Sequence, residues 1–308
     1  MEYDVVIIGG GPSGLTAGIY TSRARLKTLV IESFSVPCQA LATDHIENYP
    51  GFPDGINGFE LIEKFKKQAG QFGAEFVEGE VRNIKEHREG DRSGWKIETE
   101  DKSYTALSVI IASGASPKRL DVSGEDRFRG KGVSYCATCD AALFKNKEVV
   151  VVGGGDAALE EALFLTRFVK KLTLVHRRDA LRAAKILQER AFSNKKIDFT
   201  WGSIVSGISG DNKVTAVRIR NLKTEKEIDL PCEGVFIFVG YKPNTDFVKG
   251  LIELDENGYI VADDNCNTSK KGVFACGDCR KKLLRQVVTA CGDGALAAFS
   301  AQHHIEGL

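Results

Sequence analysis

The residues best suited to redox chemistry are Cys136 and Cys139, which are separated by two residues and followed directly by Asp140. Cysteines at this spacing can close a small disulfide loop, and thiol–disulfide exchange proceeds by attack of a thiolate on a disulfide. A carboxylate beside the second cysteine can move the protons that exchange requires. The segment therefore predicts a redox-active disulfide, with Cys136, Cys139 and Asp140 as catalytic residues.

A second pair with the same spacing, Cys276 and Cys279, leaves a metal site open as an alternative. Four thiolates from the two pairs could hold a zinc ion. However, Cys139 and Cys276 lie 137 positions apart, which is unlike the spacing of compact zinc modules. We therefore predict that the chain binds no metal.

Two glycine-rich turns have the sequence of nucleotide-binding sites. In each, a β-branched run leads into the turn, and helix-like sequence and a second apolar run follow it. Glycines let the backbone approach a pyrophosphate closely, and the helix N-terminus offers free N–H groups, although a purely structural turn remains the alternative. The candidate nucleotide-binding residues are Gly9, Gly11, Pro12, Ser13 and Gly14 in the first copy and Gly153, Gly155, Asp156, Ala157 and Ala158 in the second.

The two copies differ at the end of the second strand, 23 positions after the first glycine in each. Glu32 stands there in the first copy, and a carboxylate can accept hydrogen bonds from ribose hydroxyls. In the second copy His176 stands there, and three basic residues, Arg177, Arg178 and Arg182, follow it. Guanidinium groups bind a 2′-phosphate, although an exposed basic helix end is the alternative. This difference predicts FAD at the first site and NADPH at the second.

The composition excludes several classes of partner. Lys and Arg number 42 and Asp and Glu also number 42, so no overall field attracts nucleic acid or an anionic membrane. No apolar run reaches the roughly 18 to 20 residues that span a bilayer, and the first segment has no export signal. Eight cysteines are too few for a disulfide scaffold in a chain of 308 residues. We expect a cytoplasmic protein that binds neither nucleic acid nor membrane.

In this order, these motifs resemble those of low-molecular-weight thioredoxin reductases over nearly the whole chain. The matching stretches are Gly9–Gly14, Glu47–Phe52, Gly132–Asp140, Gly153–Asp156, His176–Arg178 with Arg182, Gly240–Thr245, Gly272–Asp278 and Arg285–Gln286. Several motifs in one order are more specific than any one of them.

The resemblance implies a homodimer that passes electrons from NADPH through FAD and the dithiol to thioredoxin or a thioredoxin-like protein. It implies that Cys139 faces the flavin, that Cys136 attacks the partner's disulfide, and that Asp140 is the acid–base group. It also implies a set of flavin contacts, made by Gln39, Asn48, Gly277, Asp278, Arg285 and Gln286.

The chain departs from the usual pattern of this family at a few positions. Cys38 replaces the glycine that usually adjoins Gln39, Ala157 stands where serine is common, and Ala141 stands where glycine is common. Three further cysteines occupy positions that are more often Ala or Val, which predicts that they are small apolar fillers. These are Cys276, Cys279 and Cys291.

The order of the motifs also predicts the domain organisation. Both halves of the FAD site, at Gly9 and at Asp278, must belong to one domain although they lie at opposite ends of the chain. We therefore predict an α/β fold with two Rossmann-like dinucleotide-binding domains, the NADPH domain being inserted into a discontinuous FAD domain. The FAD domain comprises residues 1–116 and 245–308, and the NADPH domain, which carries the dithiol, comprises residues 117–244. A strand is expected at Tyr259–Val261.

This division also predicts motion. The dithiol shares a domain with the NADPH site, whereas the flavin site belongs to the other domain. A dithiol that is reduced against the flavin is not open to a protein substrate, so the domains must move relative to each other during turnover.

Three related functions remain as alternatives. A peroxide-reducing flavoprotein would carry an extra N-terminal redox domain, and we expect none because eight residues precede Gly9. A reductase that passes electrons to ferredoxin would have no use for the cysteine pair. A non-enzymatic flavoprotein that senses nucleotides through the dithiol would not oxidise NADPH steadily when thioredoxin is added.

Overall fold

The computed structural model describes residues 1–33, 38–43 and 46–307 of the chain. Two compact units are formed, the first by Met1–Ser116 with Lys242–Leu308 and the second by Pro117–Tyr241. Each unit contains a parallel sheet with helices, and the second unit is inserted into the first. The predicted fold class is confirmed.

The strands are β1 (Tyr3–Ile8), β2 (Thr28–Glu32), β3 (Glu75–Glu78), β4 (Val81–Glu89), β5 (Arg92–Thr99), β6 (Ser103–Ile111), β7 (Ala115–Pro117), β8 (Val133–Ser134), β9 (Glu148–Gly153), β10 (Lys171–Val175), β11 (Ile197–Thr200), β12 (Ser203–Gly210), β13 (Val214–Asn221), β14 (Glu227–Pro231), β15 (Gly234–Phe238), β16 (Tyr241–Pro243) and β17 (Val273–Ala275). The α-helices are α1 (Pro12–Arg23), α2 (Gly58–Gln71), α3 (Ala137–Asp140), α4 (Asp156–Leu165), α5 (Lys185–Ser193) and α6 (Val287–Glu306).

The first unit is built on a sheet in the order β3-β2-β1-β6-β5-β4, and β17 also pairs with β6. Strands β1, β2, β3, β6 and β17 pair in parallel, whereas β4, β5 and β6 form an antiparallel meander. Because parallel strands end at the same edge of a sheet, the turn after β1 and the loop after β17 emerge close together. The first and last parts of the chain thus meet at one edge.

Strand residues of the first unit alternate between two apolar layers. Val5 and Ile7 pack with Ala17 of α1 and Ala297 of α6, whereas Val6 and Ile8 pack on the opposite face with the meander. Side chains with a period of two point to opposite faces of a sheet, so this run is buried on both sides. Each buried Val or Ile contributes about 1.5 to 3 kcal/mol, which fixes the register of β1.

The second unit has a parallel sheet in the order β11-β10-β9-β15-β8 and an antiparallel sheet in the order β12-β13-β14. Val149 and Val151 of β9 pack against α4, and Val150 and Val152 pack against the antiparallel sheet. The same alternation therefore buries β9 on both faces. It fixes the turn that follows β9 at the carboxyl edge of the parallel sheet.

The strand that the sequence predicts at Tyr259–Val261 is not formed. Ile260 makes only isolated bridges, with Leu254 and Arg280. The N–H of Tyr259 donates to the Asp255 carboxylate at 2.9 Å, so a local turn occupies a group that a ladder would use. No helix in the described residues is long and apolar enough to cross a membrane.

Candidate functional site

The dithiol segment lies in the second unit, between β8 and the single turn of α3. Cys136 directly precedes this turn and is disulfide-bonded. The side chain of Cys139 lies outside the described part of the chain, so its pairing with Cys136 stays a prediction. Asp140 is the last residue of α3 and is half-buried.

Polar contacts fix the backbone around Cys136. The Ser134 hydroxyl donates to the carbonyl of Cys136 at 3.0 Å and accepts the N–H of Cys136 at 3.1 Å. The N–H of Ala137 donates to Oε2 of Glu161 at 2.9 Å, and Glu161 belongs to α4. The helix that follows the second glycine turn therefore also holds the start of the dithiol helix.

A buried carboxylate holds the residue before Cys136. The Tyr135 hydroxyl donates to Oε1 of Glu125 at 2.5 Å, and Glu125 also accepts the N–H groups of Leu120 and Asp121 at 2.9 and 2.7 Å. Glu125 is only 1% exposed. Burial, followed by the bond to Glu125, raises the pKa of Tyr135, so its hydroxyl keeps the proton that makes this bond.

The first glycine turn joins β1 to α1 as the sequence predicts. Gly9 has a φ of +117°, which strains any side chain. A Cβ on Gly14 would lie 1.9 Å from the carbonyl oxygen of Gly9, so α1 starts in direct contact with the turn. Glu32 ends β2 beside the turn, where its Oε1 would lie 2.4 Å from a Cβ on Gly10. The turn and the predicted ribose acceptor are thus brought together.

The second turn repeats this geometry with a different partner. His176 lies beside Gly154 as Glu32 lies beside Gly10, because its Nδ1 would be 2.4 Å from a Cβ built there. Ala158 is fully buried behind the turn. A Cβ on Gly155 would have no heavy atom of the described residues within 4 Å, so no packing demand of the fold accounts for this glycine.

The predicted basic residues surround this second turn. Arg177, Arg178 and Arg182 are exposed, and within the described residues none of their guanidinium groups pairs with a carboxylate. The N–H of Arg182 donates to the carbonyl of Gly154 at 2.8 Å, which fixes the basic loop to the turn. Asp156 also holds this loop, because its Oδ1 accepts the N–H of Ala184 at 2.6 Å.

The surroundings of His176 favour its neutral form. Burial is the main cause that lowers its pKa from the ordinary 6.5, and Arg182, Arg178 and Arg177 lower it further. A dianionic phosphate among these groups would oppose that shift, since an opposite charge favours the protonated imidazole.

The loop after β17 meets the first glycine turn. The N–H of Cys276 donates to the carbonyl of Ile111 at 2.9 Å, which continues the pairing of β17 with β6. Gly277 has a φ of +73°, and a Cβ on it would lie 2.4 Å from Oγ of Ser13. Asp278 is therefore held at the start of α1. The structure brings these two parts of the predicted flavin site together.

Of the remaining predicted flavin contacts, Asn48, Arg285 and Gln286 lie at or near the start of α6. Nδ2 of Asn48 donates to Oε1 of Gln286 at 3.1 Å, although the two are 238 positions apart. Gln286 is the N-cap residue of α6. The guanidinium of Arg285 stacks 4.1 Å from the ring centroid of Tyr259. Nε2 of Gln39 donates to the carbonyl of Ala115 at 2.8 Å.

Three buried polar atoms at these sites lack a hydrogen-bond partner within the described residues. They are Oδ1 of Asp278, Nε of Arg285 and Nε2 of His176. Most buried polar atoms in proteins are hydrogen-bonded, so such atoms mark places where a ligand can supply the partner. Asp278 and Arg285 suit the hydroxyl and carbonyl groups of a flavin nucleotide, and His176 suits the phosphate of NADPH.

The other cysteines differ from Cys136. Six of the eight are free: Cys38, Cys232, Cys266, Cys276, Cys279 and Cys291. Cys276 and Cys279 are fully buried, and burial raises the pKa of both thiols, that of Cys279 to about 11. Thiols in this state are poor nucleophiles, which supports the apolar-filler interpretation. Among the described residues, no three potential metal-binding side chains converge.

Two supporting residues are not evident from sequence. Nζ of Lys66, on α2, lies 2.5 Å from Oε2 of Glu32 and orients the predicted ribose acceptor. Glu161 accepts the N–H of Ala137 at the start of the dithiol helix, but in the sequence nothing distinguishes it from the other acidic residues of α4. Neither lies in a motif, so only the tertiary contacts reveal their roles.

Known proteins resemble this chain over its whole length. The family model described as pyridine nucleotide-disulphide oxidoreductase matches residues 3–294. A thioredoxin reductase of Peptoclostridium acidaminophilum is 47% identical over 310 residues, covering 99% of this chain and 97% of the relative. A thioredoxin reductase of Lactococcus lactis has a solved structure that is 46% identical, covers 99% of this chain and 100% of its own, and superposes with a TM-score of 0.95. A thioredoxin reductase of T. acidophilum is 36% identical, covers 98% of each chain and has a TM-score of 0.91.

Proposed function

The chain belongs to the pyridine nucleotide-disulphide oxidoreductase family, and we propose that it is a thioredoxin reductase that passes electrons from NADPH through FAD and the Cys136 disulfide to thioredoxin or a thioredoxin-like protein. The observation that carries this proposal is the combination of features in the second unit. It joins a disulfide-bonded Cys136 to a glycine turn beside three arginines that no carboxylate neutralises in the described chain. The full-length likeness to thioredoxin reductases supports it.

FAD would be held in the first unit and NADPH in the second. In the first, the start of α1 would face the pyrophosphate and Glu32 the ribose, while Asp278 would hold the ribityl and phosphate portion and Arg285 would lie near the flavin ring system. In the second, the arginines would bind the 2′-phosphate, and Gly155 would leave room for the pyrophosphate. When bound, the flavin supplies a carrier that accepts a hydride from nicotinamide and passes two electrons to a disulfide. We assign the FAD domain to residues 1–116 and 245–308 and the NADPH domain to residues 117–244.

We assign the dithiol steps to Cys136, Cys139 and Asp140. In the reduced enzyme, the Cys136 thiolate attacks the disulfide of the partner, forming a mixed disulfide and releasing one partner thiolate. The Cys139 thiolate then attacks the Cys136 sulfur, which releases the second partner thiolate and restores the Cys136–Cys139 disulfide. As the acid–base group, Asp140 takes up the protons that the Cys136 and Cys139 thiols give up and passes one to each released partner thiolate in turn.

Two further features belong to this proposal. Exposed apolar residues lie on α1 and α6, which pack on each other; they include Tyr20, Leu296 and Phe299. Such residues suit a symmetric contact between two copies, so we propose a homodimer. The free thiols of six cysteines suit a reducing compartment, so we propose a cytoplasmic location, with no nucleic-acid or membrane partner.

A steady-state assay with both coenzymes tests this function. Oxidised thioredoxin, kept oxidised by insulin, should sustain rapid oxidation of NADPH and much slower oxidation of NADH. Arg177→Ala with Arg178→Ala should lower kcat/KM for NADPH by about tenfold or more and leave NADH nearly unchanged, because each bond to a phosphate contributes roughly 1.5 to 3 kcal/mol. Arg190→Ala, at an exposed position of α5, is the matched control. Equal use of both coenzymes by the unmodified enzyme would refute the assignment of the basic loop.

A further inference from the structure

A buried ionic cluster joins the loop after β17 to helix α6. Asp293 of α6 accepts the N–H of Gly277 at 3.0 Å and a hydrogen bond from Nζ of Lys282 at 2.8 Å. Its Oδ1 also lies 3.5 Å from Nη1 of Arg280. The side chains of Lys282 and Arg280 are each 10% exposed, and that of Asp293 is 15% exposed. Water therefore screens these charges little.

Two members of the cluster, Arg280 and Asp293, are anchored to different parts of the first unit. Arg280 donates from Nη2 to the carbonyl of Asp263 at 2.9 Å and from Nη1 to the sulfur of Cys266 at 3.1 Å. Helix α6 is fixed as well, because a Cβ on Gly294 would lie 2.2 Å from the carbonyl oxygen of Ser13. Asp293 thus sits on a helix that cannot shift without disturbing the first glycine turn.

The cluster adjoins the residue with the strongest indication of ligand binding. Asp278 follows Gly277 directly, and its buried Oδ1 lacks a partner in the described chain. Burial is the main cause that raises the pKa of Asp278; Lys282 and Arg285 oppose this shift, and Asp293 adds to it. The charge of Lys282 therefore acts on both Asp278 and Asp293. Its hydrogen bond to Asp293 determines where the ammonium group lies.

We propose that Asp293 is a positioning residue for the flavin: by holding the Gly277 N–H and the Lys282 ammonium, it fixes the carboxylate of Asp278 for the ribityl and phosphate portion of FAD. This inference rests on the proposed function, since it assumes that FAD binds at Asp278. A carboxylate that holds two buried cations is hard to replace, because its removal leaves both charges uncompensated.

Binding of FAD to the apoprotein tests the proposal without enzymatic activity. Flavin is removed from the full-length protein, and the Kd of FAD is measured from the loss of flavin fluorescence. Asp293→Ala should raise this Kd by about tenfold or more. Asp293→Asn should raise it less, by about threefold, because its amide oxygen can still accept the Gly277 N–H while the charge that pairs with Lys282 is lost. Asp264→Asn, an exposed acid of the same unit, should leave the Kd unchanged.

Binding of NADP⁺ serves as the folding control, because its proposed site belongs to the other unit. Asp293→Ala should retain the NADP⁺ affinity of the unmodified protein; if it does not fold, Asp293→Asn decides the test. An unchanged Kd of FAD in Asp293→Asn, even with a lower melting temperature, would overturn the proposal and leave the proposed function intact. Failure of the unmodified apoprotein to bind FAD would instead refute the proposed function.

Discussion

At the scale of one residue, the buried carboxyl group of Asp278 lowers the stability of the folded apoprotein at neutral pH. Burial is the main cause that raises the pKa of its carboxyl group above the ordinary 3.8, and its Oδ1 has no partner in the described chain. The folded apoprotein therefore holds this proton more tightly than the unfolded chain. The contribution of Asp278 to stability is fully present below about pH 3.8 and is lost as the pH rises through the folded-state pKa.

We predict that Asp278→Asn stabilises the apoprotein and weakens FAD binding. At pH 7, burying a neutral amide costs less desolvation free energy than burying a carboxylate, so the free energy of unfolding should rise by about 1 kcal/mol. Chemical denaturation of the apoprotein from pH 5 to pH 8 measures this change, and the fluorescence titration measures the Kd of FAD. Asp264→Asn is the control. A variant that is less stable and binds FAD normally would show that Asp278 serves the fold alone.

At the scale of elements, the second strand–turn–helix unit, formed by β9 and α4, gives a matched pair of glycine substitutions. Gly153 has a φ of +155°, and a Cβ there would lie 2.5 Å from the carbonyl oxygen of Phe238, whereas a Cβ on Gly155 meets nothing within 4 Å in the described chain. Gly153→Ala should therefore destabilise the fold by more than 1 kcal/mol. Gly155→Ala should change stability by less than about 0.5 kcal/mol and raise the KM for NADPH by about tenfold or more, equivalent to roughly 1.4 kcal/mol.

Thermal unfolding and steady-state kinetics measure these two effects separately. If Gly155→Ala keeps the KM of the unmodified enzyme, the turn after β9 does not lie against the pyrophosphate. If both substitutions lower stability equally, the open space beside Gly155 is not available to a ligand.

The same elements show what sequence can predict. Both βαβ units, the family and the fold class follow from local patterns, because β-branched runs, glycine spacing and a polar residue at the strand end lie within one short segment. The ion pair of Lys66 with Glu32 and the contact of Glu161 with Ala137 do not, because they join residues 34 and 24 positions apart. The prediction of a strand at Tyr259–Val261 was wrong because the Asp255 turn takes the N–H of Tyr259.

At the scale of the whole molecule, the chain order predicts domain movement. The dithiol and the proposed NADPH site lie in residues 117–244, and the proposed flavin site lies outside them. A disulfide that exchanges electrons with the flavin and then with a protein must be buried in one step and open in the next. This stays a prediction.

An engineered crosslink between the two domains that holds the dithiol against the flavin tests it. Such an enzyme should exchange electrons between dithiol and flavin but should not turn over thioredoxin until the crosslink is cut. Normal thioredoxin turnover in the fully crosslinked enzyme would show that no such movement is required.

The most direct test of the whole account measures where the electrons of NADPH go. Under anaerobic conditions, oxidised thioredoxin is mixed with a limiting amount of NADPH and a trace of enzyme, and new thioredoxin thiols are counted by alkylation and mass spectrometry. The unmodified enzyme and the control Cys279→Val should form about one thioredoxin dithiol for each NADPH oxidised, since disulfide reduction takes two electrons. Cys136→Ser should bind FAD and let NADPH reduce it, yet form no thioredoxin dithiol. Thioredoxin reduction at the normal rate by Cys136→Ser, or its loss in Cys279→Val with the flavin still bound, would contradict the account.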